Sequence, residues 1–353
     1  MIKNFISIKK KFHWIIYFLP IALISSKWII QNSNIISQNS YFAKILSELS
    51  KNNIYTMPLK ALFLFLPILV IFFLEIFLSK DKFDNFNNTS FGRLNRSGGF
   101  LLPDIWYFFL AIITNNIPII SSFLSLGLAS VNGNISSRFN NFYMGISLGN
   151  STEYLAIIIL IISIIMNEFA NYWIHRVSHE VPFLWDFHEF HHSAKEMTIL
   201  SRDRATPLEG LFITTIFLPI TVLNGLLINE YLLKGYFIPV LIYGIYITFS
   251  LSATYAAHSS MKIIYPKPFS RIFMSPSLHW LHHSTNPKHF NSNYGQVITL
   301  WDKCFGTYLD ESYLNEIEGF GIGNTEYNKY NPLYSYLLLP FIRLSRRLSK
   351  VIN

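Results

Sequence analysis

Six stretches of this chain are apolar over about the 20 residues that a helix needs to cross a bilayer. They run near Phe12–Ile30, Pro58–Leu78, Pro103–Leu124, Tyr154–Ile174, Leu208–Ile228 and Tyr231–Ala257. Asn115, Asn116 and Pro118 interrupt the third. Pro20, Pro67, Pro219 and Pro239 are compatible with membrane helices, where neighbouring groups re-satisfy the freed backbone. The first stretch is long and no small-x-small cleavage site follows it, so it reads as an uncleaved anchor. The segments 31–53 and 130–151 are rich in Asn and Ser and read as solvated connectors. The pattern predicts an all-α, multi-pass membrane protein.

Charge fits that reading. Hydrophobic residues make up 51% of 353 residues and charged residues 14%, against about 25% charged in soluble domains. The net charge of +8 could mark a nucleic-acid surface, but its distribution follows topology instead. Of 28 Lys and Arg, 22 fall in alternate loops and the two ends, and 6 on the other side, Lys27, Lys60 and Lys234 among them. Both termini are therefore expected in the cytoplasm, of a bacterial inner membrane, with no nucleic-acid partner. The expected division is 1–150 for the first spans and loops, 151–310 for a catalytic region and 311–353 for a basic cytoplasmic tail. Cys304 is the one cysteine, which excludes a disulfide within the chain.

Histidine carries the chemistry. Nine of the 11 histidines lie between His175 and His283, about three times what even spacing would give. His175 and His179 form HxxxH. His188, His191 and His192 form HxxHH, as do His279, His282 and His283, and His258 stands at the end of the sixth span. On a helix, positions three and four apart share a face, so each group presents its imidazoles together. Neutral imidazole ligates iron, zinc, copper or nickel. Eight or nine rings exceed the needs of one ion, and two ions with four or five nitrogens each would use them. The predicted topology brings all nine to one membrane surface. His13 reads as an interfacial residue, and His289 is left open as a ligand or a supporting group.

Two other readings compete. His188-Glu189-x-x-His192 satisfies the HExxH pattern of zinc proteases, with Glu189 as the base. It leaves at least five clustered histidines unused. A metal carrier would place its ligands at the bilayer midplane on broken helices, whereas these lie at and beyond span ends.

These boxes, with Leu184-Trp-Asp-Phe before the second, Ser277-Leu before the third, Asn293-Tyr-Gly295 and Trp301-Asp-Lys-Cys-Phe-Gly306-Thr307, resemble the fatty acid hydroxylase/sterol desaturase superfamily. The resemblance covers Glu168 to Asp310 and is greatest to its bacterial sterol-desaturase-like branch. It departs at Arg204-Ala-Thr206-Pro207, where many relatives have His before Pro; Thr206 cannot serve as a ligand.

The resemblance implies a cytoplasm-facing di-iron site that uses O2 to hydroxylate or desaturate an unactivated C–H bond of a membrane lipid. The implied ligands are His175, His179, His188, His191, His192, His279, His282, His283 and His258, with no separate acid or base assigned. Asp186, Glu189 and Asp302 are candidates to accept the outer ring N–H of ligating histidines. Asn293, Gly295, Gly306 and Thr307 read as turn and packing residues, and Trp301 with Phe305 as an aromatic pair. There is no GxGxxG, flavin or haem motif. Electrons are therefore expected from an external donor such as a ferredoxin or a cytochrome b5-like protein. The basic tail could receive an acidic donor or lie on the membrane.

Overall fold

A computed structural model describes residues 153–206, 237–323 and 332–352, with isolated positions at 75, 89–90, 92–93, 104–107, 110, 209, 219–220 and 327. The predicted spans Phe12–Ile30, Pro58–Leu78, Pro103–Leu124 and Leu208–Ile228, and the connectors 31–53 and 130–151, lie outside the described residues apart from those positions. The described chain is helical, and its only β pairing is two isolated bridges. Its helices are α1 (Glu153–Glu180), α2 (Pro182–His192), α3 (Phe237–Ala257), α4 (Pro276–His282), α5 (Leu300–Cys304), α6 (Pro332–Leu337) and α7 (Leu339–Ile352).

Helix α1 is long and apolar enough to cross a membrane over Tyr154–Glu180. Tyr154, Ile158, Ile161, Ile162 and Ile165 are exposed on one side, while Ala156, Leu160 and Ala170 are buried on the other. A helix that is apolar on both faces suits a lipid surround. The apolar run ends near Ile174, after about 30 Å of helix at 1.5 Å per residue. The remaining turns carry His175 and His179 beyond this apolar run. At Val181 the backbone becomes extended, and Pro182 opens α2 within its first turn, where a missing N–H costs nothing.

Buried carboxylates staple the site's supports together. Glu168 of α1 accepts the Tyr246 hydroxyl of α3 at 2.7 Å and the Val297 N–H at 3.0 Å. Asp302 of α5 accepts the N–H groups of Tyr294 (2.8 Å) and Gly295 (2.7 Å) and the Thr307 hydroxyl (2.7 Å). A Cβ on Gly295 would lie 2.6 Å from both Asp302 Oδ2 and the Ile298 carbonyl, so the close approach requires glycine. Asn293, at φ 52°, binds the Leu278 and Leu309 carbonyls at 3.1 Å each. The Asn-Tyr-Gly and Trp-Asp-x-x-Phe-Gly-Thr motifs are thus two halves of one locked turn. Phe169, Tyr172 and Trp173 of α1 pack their rings on Trp301 and Phe305 beside it.

Residues 332–352 fold back on the same unit. Helix α7 packs on α2, and Tyr107, Phe190, Tyr327, Tyr336 and Leu339 form a buried cluster beneath it.

Candidate metal centre

The nine histidines converge and sort into two groups. His175, His179, His188, His192 and His282 form one; His191, His258, His279 and His283 form the other. Within each group the ligand-capable atoms lie within 4.8 Å of one another. The two HxxHH boxes divide in the same way. The i,i+4 pair His188/His192 joins the first group and His191 the second; the pair His279/His283 joins the second and His282 the first. HxxxH on α1 completes one group, and His258, just past α3, completes the other. The groups meet where the rings of His192 and His283 stack at 4.2 Å.

Hydrogen bonds fix the outward ring nitrogens. His175 Nδ1–H donates to the Tyr294 carbonyl at 2.9 Å, and His282 Nδ1–H to the Ser292 carbonyl at 2.8 Å. A carbonyl only accepts, so each Nε2 carries its lone pair inward. His188 Nδ1 meets Glu209 Oε1 at 2.6 Å, which sets the same tautomer. Burial, reinforced by neighbouring imidazoles, holds His192, His258, His279, His282 and His283 well below the ordinary imidazole range. These rings are neutral, the form that binds metals.

The inner nitrogens face one another with too few protons to share. Nε2 of His188 and His192 are 3.2 Å apart, and Nε2 of His279 lies 3.1 Å from that of His258 and 2.9 Å from that of His283. Nε2 of His179 and of His282 are buried without any partner. Orphaned buried acceptors are costly and rare. A cation at about 2.1 Å from each nitrogen removes the deficit. The donor set therefore fits metal ions, and its all-nitrogen character suits iron, zinc, copper or nickel.

The supporting carboxylates differ from the expected ones. Asp186 is held by Arg347 through two 2.7 Å bonds. Glu189 accepts the Tyr327 hydroxyl at 2.9 Å and Arg343 Nη2–H at 2.7 Å. Asp302 is filled by the turn described above. None of the three touches an imidazole. The side chains of Asp186 and Glu189 turn to Arg347, Arg343 and Tyr327, and Asp302 serves backbone N–H groups. Burial lifts the Glu189 carboxyl to about 7 although Arg343 pulls the other way. Glu189 thus lacks the position that a protease base requires. Glu209 is the carboxylate that reaches a ring. Thr206-Pro-Leu-Glu209 matches the Thr-x-x-Glu capping pattern, and Thr206 Oγ1 accepts the Glu209 N–H at 3.2 Å. In place of the usual return to the backbone, the Glu209 carboxylate turns to His188. His289 is buried against Ser284 and belongs to neither group. His13 lies outside the described residues.

A cavity of about 570 Å³ opens onto both groups, a volume typical of small-molecule sites. His175, His188, His191, His258 and His279 form one wall, and Ile174, Ala253, Ala257 and Met274 supply apolar lining. The arrangement can hold an extended apolar group against buried metal ions.

Residues 160–307 match the model of the fatty acid hydroxylase family. Human alkylglycerol monooxygenase is 30% identical over 145 residues, 41% of this chain and 29% of that protein. The ornithine lipid hydroxylase OlsE of Rhizobium tropici is 29% identical over 150 residues, 42% of this chain and 41% of that one. The fatty acid hydroxylase vlmA of a Lecanicillium species is 29% identical over 174 residues, 46% of this chain and 45% of its own. The matched stretch thus spans less than a third of the alkylglycerol monooxygenases and under half of the other two. No solved structure gives a significant match.

Proposed function

From the fatty acid hydroxylase domain that this chain carries over residues 160–307, we propose that it is a membrane oxidoreductase that hydroxylates or desaturates an unactivated C–H bond of a membrane lipid. The observation that carries this reading is the division of nine imidazoles into groups of five and four. Two irons are the proposed occupants, one per group, with O2 as co-substrate and a ferredoxin or cytochrome b5-like protein as electron donor. The bound irons supply reductive activation of O2.

The chain's own residues do the rest. Tyr294, Ser292 and Glu209 fix the tautomers of His175, His282 and His188, so the inner nitrogens are preorganised as acceptors. The apolar wall of Ile174, Ala253, Ala257 and Met274 holds an acyl or alkyl segment beside the rings. Burial of the histidines keeps water from the reacting carbon. With α1 spanning the bilayer in this reading, the cavity lies at the membrane surface, where a lipid enters without crossing water. The site faces the cytoplasm of a bacterial inner membrane in this reading, with region 151–310 catalytic and 311–353 supporting it.

Two measurements test it. The purified chain should contain about two irons, and cells expressing it should accumulate a lipid heavier by one oxygen or lighter by two hydrogens. Zinc in place of iron, or an unchanged lipid profile, would count against the reading. Glu189→Gln is expected to keep both the metal and the lipid product, because its carboxylate binds Arg343 and Tyr327 instead of the reacting centre. Loss of turnover at full metal content would return Glu189 to the chemistry.

A further inference from the structure

Helix α7 is amphipathic in the inverted sense. Arg343 and Arg347 point inward, onto Glu189 and Asp186 of α2. The opposite side carries Phe341, Leu344 and Leu348 at spacings of three and four, which share one helical face. Leu333 and Leu337 of α6 continue that register toward the N-terminus. Leu333 (51%), Leu337 (39%), Phe341 (45%) and Leu348 (52%) are all substantially exposed. A helix on a water-soluble surface buries its apolar stripe and exposes its charges. Here two of the four basic residues, Arg343 and Arg347, meet protein and the leucines face outward.

The stripe is continuous with the point where α1 leaves the membrane. Val181 and Phe183 follow directly on that helix and are exposed. The ring of Phe183 packs on Phe187 at 5.6 Å, and Phe187 on Phe341 at 5.9 Å. Phe183 and Phe341 thus flank the same buried ring, which sets the exposed apolar residues at the end of α1 beside those of α7. Arg346 and Lys350 are exposed on the polar side of the same helix, where long basic side chains suit the headgroup layer.

We propose that α6 and α7 form an in-plane membrane anchor, with Leu333, Leu337, Phe341 and Leu348 seated at the boundary between acyl chains and headgroups. The occupant of this face is the lipid of the leaflet that α1 enters. The proposal rests on α1 crossing the bilayer, and it is independent of the reaction assigned to the histidines. It gives α7 two sides with two tasks: one holds the bilayer, and the other clamps the helix that carries His188, His191 and His192. The basic residues Arg343 and Arg347 are thereby placed as positioning residues for α2 and are not available to an acidic partner.

The test uses the full chain in vesicles of phosphatidylcholine and phosphatidylglycerol. With Cys304→Ser removing the one native cysteine, Leu348→Cys, Phe341→Cys and Arg346→Cys are each labelled with an environment-sensitive fluorophore. At 348 and 341 the expected result is blue-shifted emission. Nitroxide on the upper acyl chain should quench it strongly, and aqueous iodide several-fold less than at 346. Equal access of iodide to all three positions would overturn the proposal. So would a label at 348 and 341 shielded from both quenchers, which would place protein, a second copy or another segment of the chain, over this face.

Discussion

Replacing His282 by alanine should empty the five-histidine group of its metal and lower lipid oxidation more than about 100-fold, while the chain still inserts. The ring of His282 is central. It lies 4.3 Å from His175, 4.5 Å from His179 and 4.7 Å from His192, between centroids. Its Nδ1–H is committed to the Ser292 carbonyl, and its Nε2 is a buried acceptor with no partner in the protein. Loss of a ligand exceeds the 10–100-fold typical of losing a group that merely orients one. Alanine also opens a cavity, which destabilises any buried site. His289→Ala controls for this, because His289 is fully buried yet belongs to neither group. Metal analysis of both purified variants separates the effects. The control should keep its full complement, and His282→Ala should retain only the ion of His191, His258, His279 and His283. Full metal and turnover in His282→Ala would remove this histidine from the centre.

The helical period made much of this legible in the sequence. Spacings of three and four put each box on one face, and the apolar run ending near Ile174 placed HxxxH at the end of a long apolar helix. The helix continues to Glu180 because the box itself is helical. What the period could not show is that each HxxHH box serves two groups, since that depends on how α2 and α4 face each other. Nearness in sequence also misled. Asp186 and Glu189 flank the second box and invited a role on its rings, but their partners Arg347 and Arg343 lie more than 150 residues away. The tail's positive charge looked like a signal of topology. Two of its arginines also pair with buried carboxylates, Arg347 with Asp186 and Arg343 with Glu189, which no local pattern announces. The glycine of Asn-Tyr-Gly read as a turn residue, and the reason is contact distance to Asp302.

Glu209 was missed for the opposite reason. Its Thr-x-x-Glu spacing is a local capping signal, and Thr206 does accept its N–H. The carboxylate then leaves the local pattern for His188, 21 residues back. At 2.6 Å, an anionic partner on Nδ1–H raises the basicity of Nε2 and fixes its direction, so Glu209 should set how tightly the five-histidine group binds metal. Glu209→Ala is expected to weaken binding about 10–100-fold, measured by competition with a chromophoric chelator. Glu209→Gln keeps an acceptor oxygen at the same reach and loses only the charge, so its affinity should fall between alanine and the native residue. A purely structural role predicts another order. Both variants would then lower thermal stability, and the affinity of the folded fraction would stay native. Native affinity in Glu209→Ala would mean that packing alone orients His188, and the proposed role of this carboxylate would fall.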